Sequence, residues 1–215
     1  MDKNVFWQVI DEVNKQVAGD DYNGILISTQ EKLLTYTPED IADWGNIQTY
    51  YKDLADTGGI FAASCFLNDY MSDDGFTDFR MWLISRGKDV YMAALKDPDS
   101  LIGLNLPEDI SSTKATRWEA YGYVAIDAYE QIGHITDFYS IMDQRPLTTA
   151  QMADIRAEID YFPHIIRDET TGSQLLPKLR EKYGESIFYY GKSSVAGSNE
   201  IIIETNDNNI SGMTM

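Results

Sequence analysis

The chain has 215 residues, 43% of them hydrophobic and 12% aromatic, enough for a sizeable core and far from a disordered composition. Thirty-five Asp and Glu against seventeen Lys and Arg give a net charge of −18, a field that repels phosphate backbones and anionic membrane surfaces, so no nucleic acid and no membrane are expected as partners and a basic protein is. No apolar run approaches the ~20 residues that span a bilayer, MDKNVFWQV lacks the pattern of a secretory signal peptide, and the single cysteine, Cys65, forbids an internal disulfide; these features point to a soluble cytoplasmic protein.

In chain order, most segments repeat their apolar residues every three to four positions, the period of a helix. Phe6, Ile10, Val13 and Val17 mark a first helix ended by Gly19, and about 23–34 a second. Thr37, Pro38 and Asp40 open a third as cap, first-turn proline and capping-box partner. Its stripe is Ile41, Trp44, Gln48, Tyr51 and Leu54, and Gly58-Gly59 closes it. IFAASCFL (60–67) is apolar on every side and should be the helix most enclosed by others. The stripe Phe76, Phe79, Trp82 and Leu83 follows, stopped by Gly87, and then a short helix at Lys88–Lys96. Residues 97–116 read as a long loop with one helical turn.

Trp118, Tyr121, Ala125, Ala128, Tyr129 and Ile132 form another stripe, ended by Gly133. Thr148 and Gln151 make a second capping box, followed by Met152, Ile155, Ile159 and Phe162 up to Pro163. Ser173–Tyr183 resembles a final helix. SIFYY (186–190) and EIIIE (200–204) have strand composition and would form a small hairpin. The fold expected is mostly α, a single multi-helix orthogonal bundle with a small C-terminal β-hairpin. Residues 1–190 form its helical domain (core 1–132, extension 133–190) and 191–215 a tail.

Three segments resemble an uncharacterised bacterial family, domain of unknown function number 4240. The first carries Phe6, Trp7 and Ile10. The second runs from Ser72 through Phe76, with Phe79, Arg80, Trp82, Leu83, Ile84 and Gly87. The third holds Tyr123, Val124, Ala125, Ala128, Tyr129 and Glu130. LPKLREKYG (176–184) looks like the short terminal motif seen after these helices. The resemblance covers residues 1–132 well and the rest thinly. Members occur alone or fused to a tryptophan-glycine-arginine-type module, which is absent here. The resemblance implies a helical fold and brings no established activity, cofactor or catalytic residue.

The chemistry-bearing residues each have two readings. SDDGF (72–76) is either a recognition or metal loop or a helix start. With Gly75 at position six of an EF-hand loop, position one is Tyr70 and position twelve Met81, neither a calcium ligand. As a helix start, Ser72 or Asp73 caps, the acids meet the positive end of the dipole, and Gly75 loosens the first turn. Arg80 and Arg86, the first arginines in the chain, read as structural ion pairs with Asp69, Asp73 or Asp89, or as holders of an anionic ligand. The candidate ligand- or partner-binding set is therefore Asp73, Asp74, Arg80 and Arg86.

Cys65 sits in an apolar run and reads as a small hydrophobe. His134 and His164 lack a third nitrogen or sulfur ligand for zinc, so neither a metal nor a cofactor is expected. HExxH, GxSxG, paired CxxC and Gly-rich phosphate motifs are missing from the sequence. Fourteen tyrosines serve core and interface equally well. Charge is uneven: residues 1–79 hold fifteen acids, four lysines and no arginine, a net −11. The reading favoured is a non-enzymatic acidic interaction domain, immunity- or antitoxin-like in its concrete form. The alternative is a small-molecule or anion-binding domain or enzyme with a site near Arg80 and the SDDGF helix start.

Overall fold

Helices follow one another along the computed structural model, which describes residues 1–68, 71–104, 106, 115–133, 136–164, 166 and 169–184. They are α1 (Lys3–Gln16), α2 (Tyr22–Leu33), α3 (Pro38–Leu54), α4 (Gly58–Asn68), α5 (Asp73–Ser85) and α6 (Lys88–Lys96). A 3₁₀ helix (Pro98–Gly103) comes next. Then come α7 (Glu119–Gly122), α8 (Val124–Gln131), α9 (Phe138–Gln144), α10 (Thr149–Arg156), α11 (Glu169–Leu175) and α12 (Pro177–Tyr183). The described residues contain no strand. The expected hairpin segments, 186–190 and 200–204, lie outside them.

Local chemistry accounts for many of the described helix starts. Asp2, Asp21, Thr37, Ser72, Asp137 and Thr148 each accept a backbone N–H of the turn they precede. The Thr148–Gln151 capping box closes in both directions. Asp40 also accepts the Thr37 hydroxyl at 2.9 Å; its side chain is one methylene shorter than the Glu or Gln of the motif.

The core is one hydrophobic cluster running from Phe6 to Leu179. At its centre the Phe6 ring lies 4.9 Å from Trp7, 4.8 Å from Trp44 and 5.4 Å from Tyr51. α4 is the most enclosed helix, as its composition implied: Ile60 and Ala62 to Asn68 are all buried. Its polar end is satisfied internally, Asn68 donating to the Ser64 carbonyl and to Thr116 Oγ1, both at 2.8 Å.

Four boundaries differ from the sequence reading. Gly58-Gly59 opens α4 rather than closing α3; a Cβ on Gly59 would stand 2.9 Å from Pro98 Cγ and 3.2 Å from Phe162, so the glycine admits two packing rings. The Trp118–Ile132 stripe breaks at Tyr123 into α7 and α8. Ile159 and Phe162 lie beyond α10, which stops at Arg156, and the Phe162 N–H donates to the Leu95 carbonyl at 2.7 Å. Pro177 splits the last helix in two, because the residue before a proline is disfavoured in the α region.

The described residues of the segment 138–183 lie across the preceding helices. Phe138 and Met142 press on Gly45 of α3, where a Cβ would stand 3.0 Å from the Phe138 ring. Arg145 forks onto Asp43 at 2.7 and 2.9 Å. Buried Asp99 accepts the Leu179 and Lys178 N–H groups at 2.8 and 3.0 Å.

Candidate functional site

The SDDGF segment starts a helix. Ser72 Oγ accepts the Gly75 N–H at 3.1 Å, and Asp73 and Asp74 sit exposed in the first turn of α5. Gly75 supplies space rather than the conformational freedom expected of it: a Cβ there would lie 3.1 Å from Met71 Sδ and 3.5 Å from Arg117 Nε. Arg117 thus crosses the first turn of α5, and its Nε donates to Asn68 Oδ1 at 3.3 Å.

Arg80 and Arg86 are both turned inward, away from the two aspartates. Arg80 donates to the Phe76 and Lys52 carbonyls at 3.3 and 3.2 Å and to Thr77 Oγ1 at 3.2 Å. Its ion-pair partner among the described residues is Asp56 at 3.2 Å, rather than the Asp73 or Asp89 considered from sequence; Asp69, also considered, lies outside the described residues. Arg80 therefore caps the carbonyl end of α3. Arg86 stands at the far end of α5, about 20 Å along the axis from Asp73. Its Nε and Nη2 reach Ser85 Oγ at 3.0 and 2.8 Å, and Nη1 reaches the Gly19 carbonyl.

The Arg86 guanidinium lies 5.3–5.7 Å from the ring centroids of Tyr22, Trp82 and Trp118. Burial lowers its pKa, and the three π faces compensate. The four residues singled out from sequence are thus dispersed: two acids on an exposed turn, two arginines holding helices together.

What gathers near Asp74 is a set of residues the sequence reading did not single out. α7 packs on α5, the Trp118 N–H donating to the Asp78 carbonyl at 3.2 Å. This brings Glu119 toward Asp78. Burial raises the Asp78 carboxyl above its ordinary value, Glu119 and Asp74 raise it further, and Arg117 offsets part of this. Tyr123, 47% exposed, reaches Glu119 Oε1 through a long contact of 3.5 Å. The Glu119 charge raises its phenol, as do nearby Tyr139 and Asp78. Tyr139 is 55% exposed. The result is a carboxylate-rich surface with two open aromatic rings. Glu119 follows directly on the α7 cap position, but only the docking of α7 on α5 reveals its partner.

Lys3, Lys32, Lys52, Arg80, Lys88, Lys96 and Arg145 each pair with a carboxylate, whereas Asp73, Asp74, Asp78 and Glu119 enter no ion pair among the described residues. Cys65 is buried at 1% exposure and its thiol is pushed up to about 12, an inert setting. His164 packs edge-on against Phe162 at 5.1 Å; His134 lies outside the described residues. Among the described residues no three His, Cys, Asp or Glu side chains group closely enough to hold a metal ion, and no helix is long and apolar enough to cross a membrane. A polar cavity of about 260 Å³ borders Met1, Asp43, Arg145 and Gln151; its charges are joined to one another, Asp43 bridging the Met1 amino group and Arg145.

The chain matches no curated protein and no solved structure. The family described as protein of unknown function (DUF4240) matches residues 1–131, from the start of α1 to the end of α8. Both the capped α5 and the α7–α8 pair that frame the acidic surface fall within that match, and the chain belongs to the DUF4240 family.

Proposed function

We propose that the chain is a non-enzymatic cytoplasmic interaction domain that docks a basic protein on its acidic exterior, in the manner of an immunity or antitoxin protein that neutralises a basic toxin. The observation that carries this reading is the meeting of Asp74, Asp78 and Glu119 beside Tyr123 and Tyr139. Burial, Glu119 and Asp74 raise the cost of ionising Asp78, and a partner lysine or arginine would relieve it while the two tyrosine rings supply contact area. The −11 net charge of residues 1–79 adds long-range attraction for a basic partner and repulsion of nucleic acid.

A ligand site at Arg80 and Arg86, the alternative, has less support, because each guanidinium is already directed at carbonyls, hydroxyls and rings of the fold. Affinity capture with the full chain and with an Asp74→Lys/Asp78→Lys/Glu119→Lys variant tests the reading. A basic partner held by the parent and released by the variant is expected. Equal retention by both would remove this surface from the account.

A further inference from the structure

Six large hydrophobic side chains stand exposed among the described residues: Ile27, Leu34, Tyr123, Ile132, Tyr139 and Tyr161. Three of them belong to one face, built where α2 packs against α8. Tyr22, at the start of α2, meets Trp118 ahead of α7 with ring centroids 4.7 Å apart. About two turns later Gln30 Nε2 donates to Asp127 Oδ2 at 3.1 Å. α2 and the α7–α8 pair therefore run side by side in one direction, with this hydrogen bond in the seam. On α2, Ile27 lies three residues before Gln30 and Leu34 four after; on α8, the cap residue Tyr123 lies four before Asp127 and Glu130 three after. Residues three and four apart share a helix face, so Ile27, Leu34 and Tyr123 line the exposed side of the seam.

The charges of this face have one sign. α2, α7 and α8 hold four acids, Glu31, Glu119, Asp127 and Glu130, and one cation, Lys32. Lys32 is turned to α1, where it pairs with Glu12 at 2.7 Å. The four acids enter no ion pair among the described residues. Tyr123 joins the face to the surface around Asp78, its hydroxyl reaching Glu119 Oε1 at 3.5 Å. Exposed apolar side chains rimmed by polar ones mark a protein contact. Apolar points two turns apart on one helix suit the i, i+4, i+7 stripe of another.

We propose that the α2–α8 face receives a basic amphipathic helix of the partner protein. Its apolar stripe lies on Ile27, Leu34 and Tyr123, and its lysines or arginines meet Glu31, Asp127 and Glu130. Charge selects this occupant: a second copy of a chain with net charge −18 would bring like charge to the same acids. The inference rests on the reading of the chain as a domain that binds a basic protein, and names the element by which that protein is held.

Fluorescence anisotropy of the full chain with a labelled synthetic Leu/Lys helix of about five turns tests it, beside a scrambled peptide of the same composition and a Leu/Glu helix. The ordered Leu/Lys helix is expected to bind most tightly. Ile27→Ser/Leu34→Ser is expected to weaken it about tenfold, with unchanged circular dichroism because both side chains are exposed. Chemical-shift mapping on the parent chain is expected to move amides of α2 and α8. No binding, equal binding of the scrambled or Leu/Glu peptide, or unchanged binding by the serine pair would overturn the proposal. So would a dimeric parent made monomeric by the serine pair, since a second copy would then occupy the face. Shifts confined to α5 and α7, with binding lost in Asp74→Lys/Asp78→Lys/Glu119→Lys, would keep the acidic surface and remove this face. Binding kept by that triple variant and lost in the serine pair would place the partner helix here and remove the acidic surface instead. Should the serine pair not fold, the mapping on the parent chain decides.

Discussion

Asp99 shows how one side chain fixes a distant helix. Leu176, at the cap position of α12, has no side-chain oxygen to offer, so the first N–H groups of that helix go to a buried carboxylate some eighty residues earlier. Asp99→Ala should leave two donors unmet and cost about 2–3 kcal/mol, Asp99→Asn less. Urea unfolding measures both, and an unchanged midpoint in Asp99→Ala would show that α12 does not depend on this contact. Asp78 makes the opposite case. Its raised pKa means the fold is less favourable with Asp78 ionised. Asp78→Asn is therefore expected to raise the melting temperature of the free protein at neutral pH while weakening partner capture, the trade expected of a residue kept for binding. A lower melting temperature would mean that the carboxylate is needed by the fold itself.

Among the elements, α5 carries the clearest local code. Ser72→Ala should cost about 1 kcal/mol through the lost cap, and Asp73→Asn about 0.3–1 kcal/mol through the helix dipole. Thermal melts compare them, and equal, negligible losses would contradict the capping geometry. Such starts were legible in the sequence because they depend on residues within one turn: Thr37, Ser72 and Thr148 all cap as their spacing implied. The all-apolar α4 was legible for the same reason, its composition stating its burial. The ends were less so. Tyr123 breaks a stripe whose period is intact, and Phe162 keeps helical spacing while seated on α6 and α4 by tertiary packing. The candidate site shared this limit. Asp74 was singled out beside Asp73, but Asp78, Glu119 and Tyr123 become neighbours only when α7 lies on α5, and Arg80 and Arg86 are drawn away by an α3 carbonyl and an aromatic cluster that no spacing rule connects.

Among the described residues, Lys3, Lys32, Lys52, Arg80, Lys88, Lys96 and Arg145 are paired with carboxylates, while acids outnumber bases thirty-five to seventeen over the chain. Burial opposes ionisation of Asp43 and Glu158, but Arg145 with the Met1 amino group, and Lys3 with Lys88, outweigh it and hold both carboxyls below their ordinary values. A carboxylate with a lowered folded pKa adds stability above its unfolded value, and that stability is lost as pH falls through the folded one. Stability should therefore drop below about pH 4, with Asp43→Asn and Glu158→Gln flattening the drop in acid-dependent urea unfolding; an unaltered profile in both variants would mean that these pairs contribute nothing. Asp78 runs the other way, since acid relieves it. The same ledger leaves an exterior suited to a positively charged protein. The most direct measurement is affinity capture with the full chain across a salt series. A basic partner retained at low salt and released as salt screens the surface is the result expected. Recovery of no partner at low salt, or of one indifferent to salt, would contradict it.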